Sequence, residues 1–442
     1  MSGEAAEGDA GPADAEPMGP LDHVRDLLAL ERDVLVLSVA MFAFSLGFQM
    51  TGRYMGRYLS VLGAASLVIG LYGSLGQVLG AVYPYPGGAI SDRIGSRRAL
   101  TLFGLASTAG FGLWLVAADV PTLVVGPLVV PPWAWVFVGL LLVQAWKSFG
   151  LGATFAVVKQ AVPPEQLATG FASTETVRRV AFLAGPLAAA LLLARGEFLD
   201  GFRSVLLVAL AFAGLGTVAQ HVLYDAGEDT VGDSFEGVDQ VLADLRAMPP
   251  ELPPLLAGDT LVRFGNGMVH VFVVLLVVEE MRLSATLFGF ALNPDALFGV
   301  LLAVEMAVAL VTMVPVAGAA RRVGLKPVVA TGFLVYATFP ALLVLAPADA
   351  VVVGALFAFS GLRFAGLPAH KALIVGPAEA EAGGRVTGSY YLVRNAVRIP
   401  APALGGALYA VSPALSFGVA TLVGLAGVAV FLAFGREFEA YA

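Results

Sequence analysis

Charged and amide side chains recur at helical spacing inside runs of Val, Leu and Ala, and they are the residues of this chain that could do chemistry. Asp259, Arg263, Asn266 and His270 follow one another by four, three and four residues, which puts them on one face of a helix. Tyr391, Arg394, Asn395 and Arg398 form a second stripe, Ser45, Gln49 and Arg53 a third, and Gln144 with Lys147 a fourth. Arg363, Arg178, Glu175 and Glu305 stand in further apolar runs. A charge at the centre of a bilayer costs roughly 2.5 to 3.5 kcal/mol on insertion scales, so such stripes must face water or one another. Cations outnumber acids among them, and arginine grips carboxylates through paired hydrogen bonds. The chemistry implied is capture of an anionic solute rather than bond making.

Several residues keep two readings. Glu175 precedes Arg178 by three residues, so gating by a local ion pair is favoured for that pair. For Arg263, Arg394 and Arg398, substrate contact and an ion-pair network remain open. His270 is the lone histidine of its stripe, and such a residue is more often a hydrogen-bonded structural one than a proton carrier. Glu305, within residues 301–311 and with no cation near in sequence, is a candidate proton carrier together with Asp259, since a carboxyl in apolar surroundings can hold a proton. Pairing of Glu305 with an arginine across a cavity is the alternative.

The elements that must position these residues are membrane helices. The chain has 442 residues, 58% hydrophobic and 13% charged, with a mean hydropathy of +0.85, too apolar for a soluble globular protein. Apolar runs begin near Val34, Ser66, Leu100, Trp133, Ala168 and Phe202, then near Leu255, Ala296, Val328, Val351, Val386 and Ala414. Each is long enough to approach the roughly 20 residues a span requires. The expected fold is an all-α membrane protein of twelve spans in two pseudo-symmetric six-helix bundles. Its parts would be an acidic cytoplasmic tail and lead-in (1–31), a first bundle (32–225), an acidic linker (226–254), a second bundle (255–435) and a cytoplasmic C-terminus (436–442).

Lys and Arg concentrate at one set of loops, which predicts cytoplasmic termini in a cell-membrane protein. Arg53, Arg57, Arg195, Arg203 and Arg282 fall at the outer face on that topology. The net charge of −8 arises largely from the tail and linker. Acidic soluble segments, with Arg in place of Lys, suit a salt-adapted organism, because hydrated carboxylates aid solubility.

Between the second and third runs lies Gly88-Ala-Ile-Ser-Asp92-Arg93-Ile-Gly95-Ser-Arg97-Arg98. Asp92 can cap the next helix and pair with arginine, and Gly95 permits a tight turn. This order of glycine, acid and arginines resembles the loop between helices 2 and 3 of the major facilitator superfamily. Residues 317–326 hold a degenerate second copy, with Arg321 where the acid would stand. A constant offset also pairs Glu165 with Glu381, Ser173 with Ser389, Val177 with Val393, Arg178 with Arg394 and Pro186 with Pro402. Gly185-Pro186 resembles the family's antiporter motif with alanines in place of its later glycines, whereas Trp146-Lys147 replaces its helix-4 arginine.

The resemblance implies a secondary transporter that exposes a midplane site to each side in turn, with a small-molecule solute and H+ as partners and the bilayer as its surroundings. Gly88, Asp92, Arg93, Gly95, Arg97 and Arg98 would then gate it. Efflux of amphipathic drugs is the alternative substrate reading, and a transport-inactive receptor or scaffold the alternative class. No cofactor, metal or nucleic acid is expected, and a monomer is. The chain has no cysteine, which excludes disulfides and thiolate metal sites, and it lacks a phosphate-binding loop ending in Lys-Ser or Lys-Thr.

Overall fold

The computed structural model describes residues 32–84, 90–91, 93–161, 167–224, 246, 248–376 and 383–437. Every predicted apolar run lies in a helix. In the first half these are α1 (Arg32–Thr51) with its continuation α2 (Met55–Val61), α3 (Ser66–Val82), α4 (Ser96–Ala117), α5 (Pro132–Ala161), α6 (Leu167–Leu193) and α7 (Phe198–Leu223). The second half has α8 (Leu252–Val269), α9 (Val273–Leu275) running into a π turn (Leu276–Glu280), α10 (Pro294–Val323), α11 (Leu325–Val344), α12 (Ala350–Gly361), α13 (Leu367–Val375), α14 (Gly383–Arg398), α15 (Ala401–Val411) and α16 (Pro413–Phe434). Among the described residues, six helices are long and apolar enough to cross a membrane, or eight when each bent pair is taken as one span. Gly88 and Asp92 lie outside the described residues, as do Glu165 and Glu381, and the side chain of Glu175 is likewise not described.

The two halves repeat each other in backbone detail. α1 breaks at Gly52 and turns by 46° into α2, and α8 breaks at His270 and turns by 46° into α9. Each break is closed by the same short bond, Tyr54 N–H to the Thr51 carbonyl at 2.9 Å and Phe272 N–H to the Val269 carbonyl at 2.8 Å. Gly95 before α4 and Gly324 before α11 have φ of 83° and 90°, a region open to glycine and costly for other residues. Asn293, Asp349 and Ser412 cap α10, α12 and α16 with their side-chain oxygens, which satisfies amides that the helix itself leaves free.

Packing follows the same symmetry. α1 lies on α6 and α7, and α4 on α5 and α7, while α8 and α11 lie on α16. Two seams join the halves, α3 against α15 and α6 against α10. A Cβ added at Gly70 would stand 2.3 Å from the Pro402 carbonyl oxygen, and one added at Gly299 would stand 2.7 Å from that of Pro186. The prolines paired by the sequence repeat thus meet matching glycines across the two seams, and absent side chains set how closely the backbones approach.

Two β-hairpins, Leu123–Val125 with Leu128–Val130 (β1, β2) and Ala285–Leu287 with Phe290–Leu292 (β3, β4), connect α4 to α5 and the π turn to α10. At this end, Arg57 Nη1 meets Glu279 Oε1 at 2.6 Å and its Nε lies 3.5 Å from Asp295 Oδ1. Tyr54 donates to the Asp295 carbonyl at 3.0 Å, and Asn293 Nδ2 donates to the Leu193 carbonyl at 2.8 Å. All four contacts run between the halves.

Candidate binding cavity

Between the halves lie two connected chambers of about 570 Å3 and 650 Å3. Arg53, Lys147, His270 and Arg363 line both, so they stand where the chambers meet. The helix breaks explain part of this arrangement. Breaking α1 at Gly52 and α8 at His270 turns the polar residues beside each break inward, and Arg53 Nη1 donates to His270 Nδ1 at 3.0 Å. Arginine cannot accept, so Nδ1 is the acceptor and the ring proton sits on Nε2. Arg53 is therefore not an outer-face residue as its loop position suggests; the break folds it into the cavity.

The sequence-predicted residues divide into two sets. Gln49, Gln144, Lys147, Arg263, Asn266, His270, Arg363 and Arg398 line the chambers. Tyr391, Arg394 and Asn395 do not line them. Arg394 instead turns to Asp259, 3.1 Å from its Oδ2, with its guanidinium 4.5 Å from the Tyr391 ring centroid and Asn395 Oδ1 beside it at 3.3 Å. The stripe on α14 is thus split, with Arg398 facing the cavity and Arg394 serving a buried cluster.

That cluster centres on Asp259, which is 0% exposed. Arg263 Nε donates to its Oδ1 at 2.6 Å and Tyr390 OH to its Oδ2 at 3.1 Å. His370 Nε2 is 3.4 Å from Oδ2 without a geometry that makes a hydrogen bond. The sequence reading missed Tyr390 and His370; a period that linked α13 and α14 to α8 would have been needed, and no local spacing carries one.

Glu305 is also not isolated. Arg363 Nη2 lies 2.6 Å from its Oε1, Ser360 Oγ donates to the same oxygen at 2.5 Å, and Arg53 Nη2 reaches within 3.9 Å of Oε2. The short 3-10 turn Leu362–Phe364 between α12 and α13 swings Arg363 onto α10, a contact between positions 58 residues apart that no local pattern encodes. Burial of the pair makes sense because a lone charge there would be far costlier.

Of the residues predicted to gate, Arg178 lines the first chamber, with its guanidinium 5.3 Å from the Phe182 ring. Arg97 Nε donates to the His221 carbonyl at 2.7 Å, tying α4 to α7 within the first half. Arg93 and Arg98 are exposed, and Gly95 supplies the turn into α4.

Charge in the cavity is strongly one-sided. Arg53, Lys147, Arg178 and Arg179 from the first half, with Arg263, Arg363, Lys371 and Arg398 from the second, line it, whereas Glu305 is the carboxylate among the described lining residues. Lys147 is exposed to the cavity, 5.9 Å from the Phe48 ring centroid, and among the described residues no carboxylate lies within 4 Å of it or of Arg398. Arg398 Nε is buried with no partner. The first chamber also presents Phe48, Trp146, Phe182, Met306 and Met313.

No protein-family model matches the chain. It is 30% identical over 188 residues to the uncharacterized MFS-type transporter Rv0849 of Mycobacterium tuberculosis strain H37Rv and, equally, to the MFS-type transporter MT0872 of strain CDC 1551. Those matches cover 42% of this chain and 40% of the relatives' own length. The fold is similar to that of the nucleoside transporter NupG, with a TM-score of 0.73 at 13% identity, over 91% of this chain and all of the other. A POT family transporter solved with 5-aminolevulinic acid gives 0.68 at 14%, over 92% and 98% of the two chains. A bacterial homologue of the human lysosomal transporter Spinster, in an inward-facing and occupied conformation, gives 0.65 at 12%, over 92% and 96%. These proteins are transporters, not enzymes. The chain is a multi-pass membrane protein that shares their fold.

Proposed function

We propose that this protein is a secondary transporter of the major facilitator type, built as two six-helix bundles and moving a small anionic organic solute by alternating access. The observation that carries the reading is the cavity between the halves, lined by cations of both and by little negative charge. Charged donors aimed into a confined site favour carboxylate or phosphate ligands. The ion pairs of Arg57 with Glu279 and Asp295 close one end, and the basic residues Arg97, Arg98, Arg321 and Arg322 mark the other as cytoplasmic.

On this reading Asp92 and its loop, with Glu175 and Arg178, stabilise one orientation of the halves, and proton coupling falls to Glu305 or Asp259. The acidic tail and linker fit a protein working at high salt. A second reading, efflux of amphipathic compounds, draws on the Phe and Met wall of the first chamber. The deciding experiment is uptake and efflux of a metabolite panel in proteoliposomes, with and without a pH gradient. Transport of carboxylates or phosphates supports the anion reading; transport confined to lipophilic cations overturns it.

A further inference from the structure

The cavity carries more positive charge than one anionic group would answer. Arg53, Lys147, Arg263, Arg363, Arg394 and Arg398 stand in its wall or directly behind it, with Arg178, Arg179 and Lys371 in the first chamber, against the carboxylates of Asp259 and Glu305 among the described residues. Their surplus is concentrated rather than spread. Asp259 is shared by Arg263 and Arg394, and Glu305 by Arg363 and Arg53, so among the described residues that line the larger chamber the cations left without a carboxylate within 4 Å are Lys147 of the first half and Arg398 of the second. Both line the larger chamber.

The ionisable groups of the same wall are poor in free acceptors. His270 takes the bond from Arg53 on Nδ1 and so presents Nε2–H as a donor, while Glu305 Oε1 is already filled by Arg363 and Ser360. A ligand group that brings its own hydrogen, such as a protonated acid or a hydroxyl, meets few ionised acceptors there and is left to amides such as those of Gln144 and Asn266. One that is acceptor-only meets many.

Resting on the anion reading above, we propose that the cavity takes a small organic dianion, a dicarboxylate or a phosphate monoester, whose two negative charges are answered by Lys147 and Arg398, one to each. A dianion would then touch both halves at once, because these two cations come from α5 and α14. A monoanion can neutralise one of them and leaves the other bare in a confined site, where an unpaired charge is costly.

The test is ligand binding to the purified full-length protein in detergent, read as thermal stabilisation across a concentration series. Glutarate, its monomethyl ester and ethyl phosphate are compared near neutral pH, where glutarate carries two charges and its ester one. At least tenfold tighter binding of glutarate or ethyl phosphate than of the monoester is expected, and the better of the two identifies the oxyanion. Lowering the pH through the second ionisation of glutarate should weaken its binding and leave that of the monoester in place. In Lys147→Gln and in Arg398→Gln the ratio of dianion to monoester affinity should fall to within about twofold. Equal wild-type affinity for glutarate and its ester overturns the dianion inference while the anion reading stands, and an unchanged ratio in both variants overturns it too. Binding of lipophilic cations, with none of the three anions bound, overturns both. The wild-type comparisons decide the matter even where a variant fails to fold.

Discussion

Two carboxylate sites, Asp259 alone and Glu279 with Asp295, sit in ion-pair clusters of opposite design. Among the described residues, every partner of Asp259 (Arg263, His370, Tyr390, Arg394) belongs to the second half, and the carboxylate is fully buried. Glu279 and Asp295 instead take Arg57 from the first half, and that pair is partly open, with side chains of Arg57 and Glu279 23% and 31% exposed. A cluster within one half moves as a body and survives any rocking of the halves. A cluster between the halves must break when that end opens. The first is built for permanence and the second for reversal, and Arg53, which reaches both His270 and Glu305 across the interface, belongs with the second.

The sharpest way to break this comparison is Asp259→Asn. Removing one partner from a buried cluster leaves two arginines facing each other without a counter-charge, at a cost of about 3 to 5 kcal/mol. The variant should give little folded protein, or a midpoint of thermal unfolding in detergent well below that of the wild type. A midpoint equal to the wild type would show that the cluster is not a structural anchor.

A smaller effect is expected at a second contact internal to the same half. Glu437 accepts from the Leu325 and Lys326 amides at 2.9 and 2.8 Å, capping α11 in the space beside Gly324. Glu437→Ala should cost about 1 kcal/mol, the usual worth of a helix cap, and lower the unfolding midpoint by a few degrees. No change in that midpoint would mean that other groups cap α11 as well.

Least effect on stability belongs to the reversible contact. Glu279→Gln should change it by less than about 1 kcal/mol, because a partly exposed ion pair is worth little. Its consequence is positional. Since the chain has no cysteine, Ala296→Cys gives a single reporter at a buried site beside Asp295. Thiol labelling of that reporter should become several-fold faster when Glu279→Gln is added. An unchanged labelling rate would remove the latch role from Arg57 and Glu279.

The helices and the repeat were legible because apolar length and the offset of motifs are written locally. Each of the twelve apolar runs begins a helix or lies in one, and the pairing of Pro186 with Pro402 reappears as two equivalent seams. Most of the cavity was legible too, since stripes on α1, α5 and α8 must face water in any bundle. What spacing could not supply is which stripe residue turns to a neighbour. Arg394 and Arg398 are one turn apart on α14, yet one is held by Asp259 and the other faces the chamber. Glu305 looked alone because its partner Arg363 approaches from a 3-10 turn far along the chain, and for Arg53 the loop topology pointed outward while its spacing from Ser45 and Gln49 pointed to the cavity, since nothing local marks the break at Gly52.

The cap on α11 also fixes an order of manufacture. Leu325 and Glu437 are 112 residues apart, so the ribosome must deliver α12 to α16 before the start of α11 can be sealed. Until then two amides at that helix end depend on water or on the translocation machinery. Folding of the second half is therefore closed backwards at this point, with a later segment locking an earlier one. A polypeptide cut before residue 437 would carry every helix described above and still lack that lock.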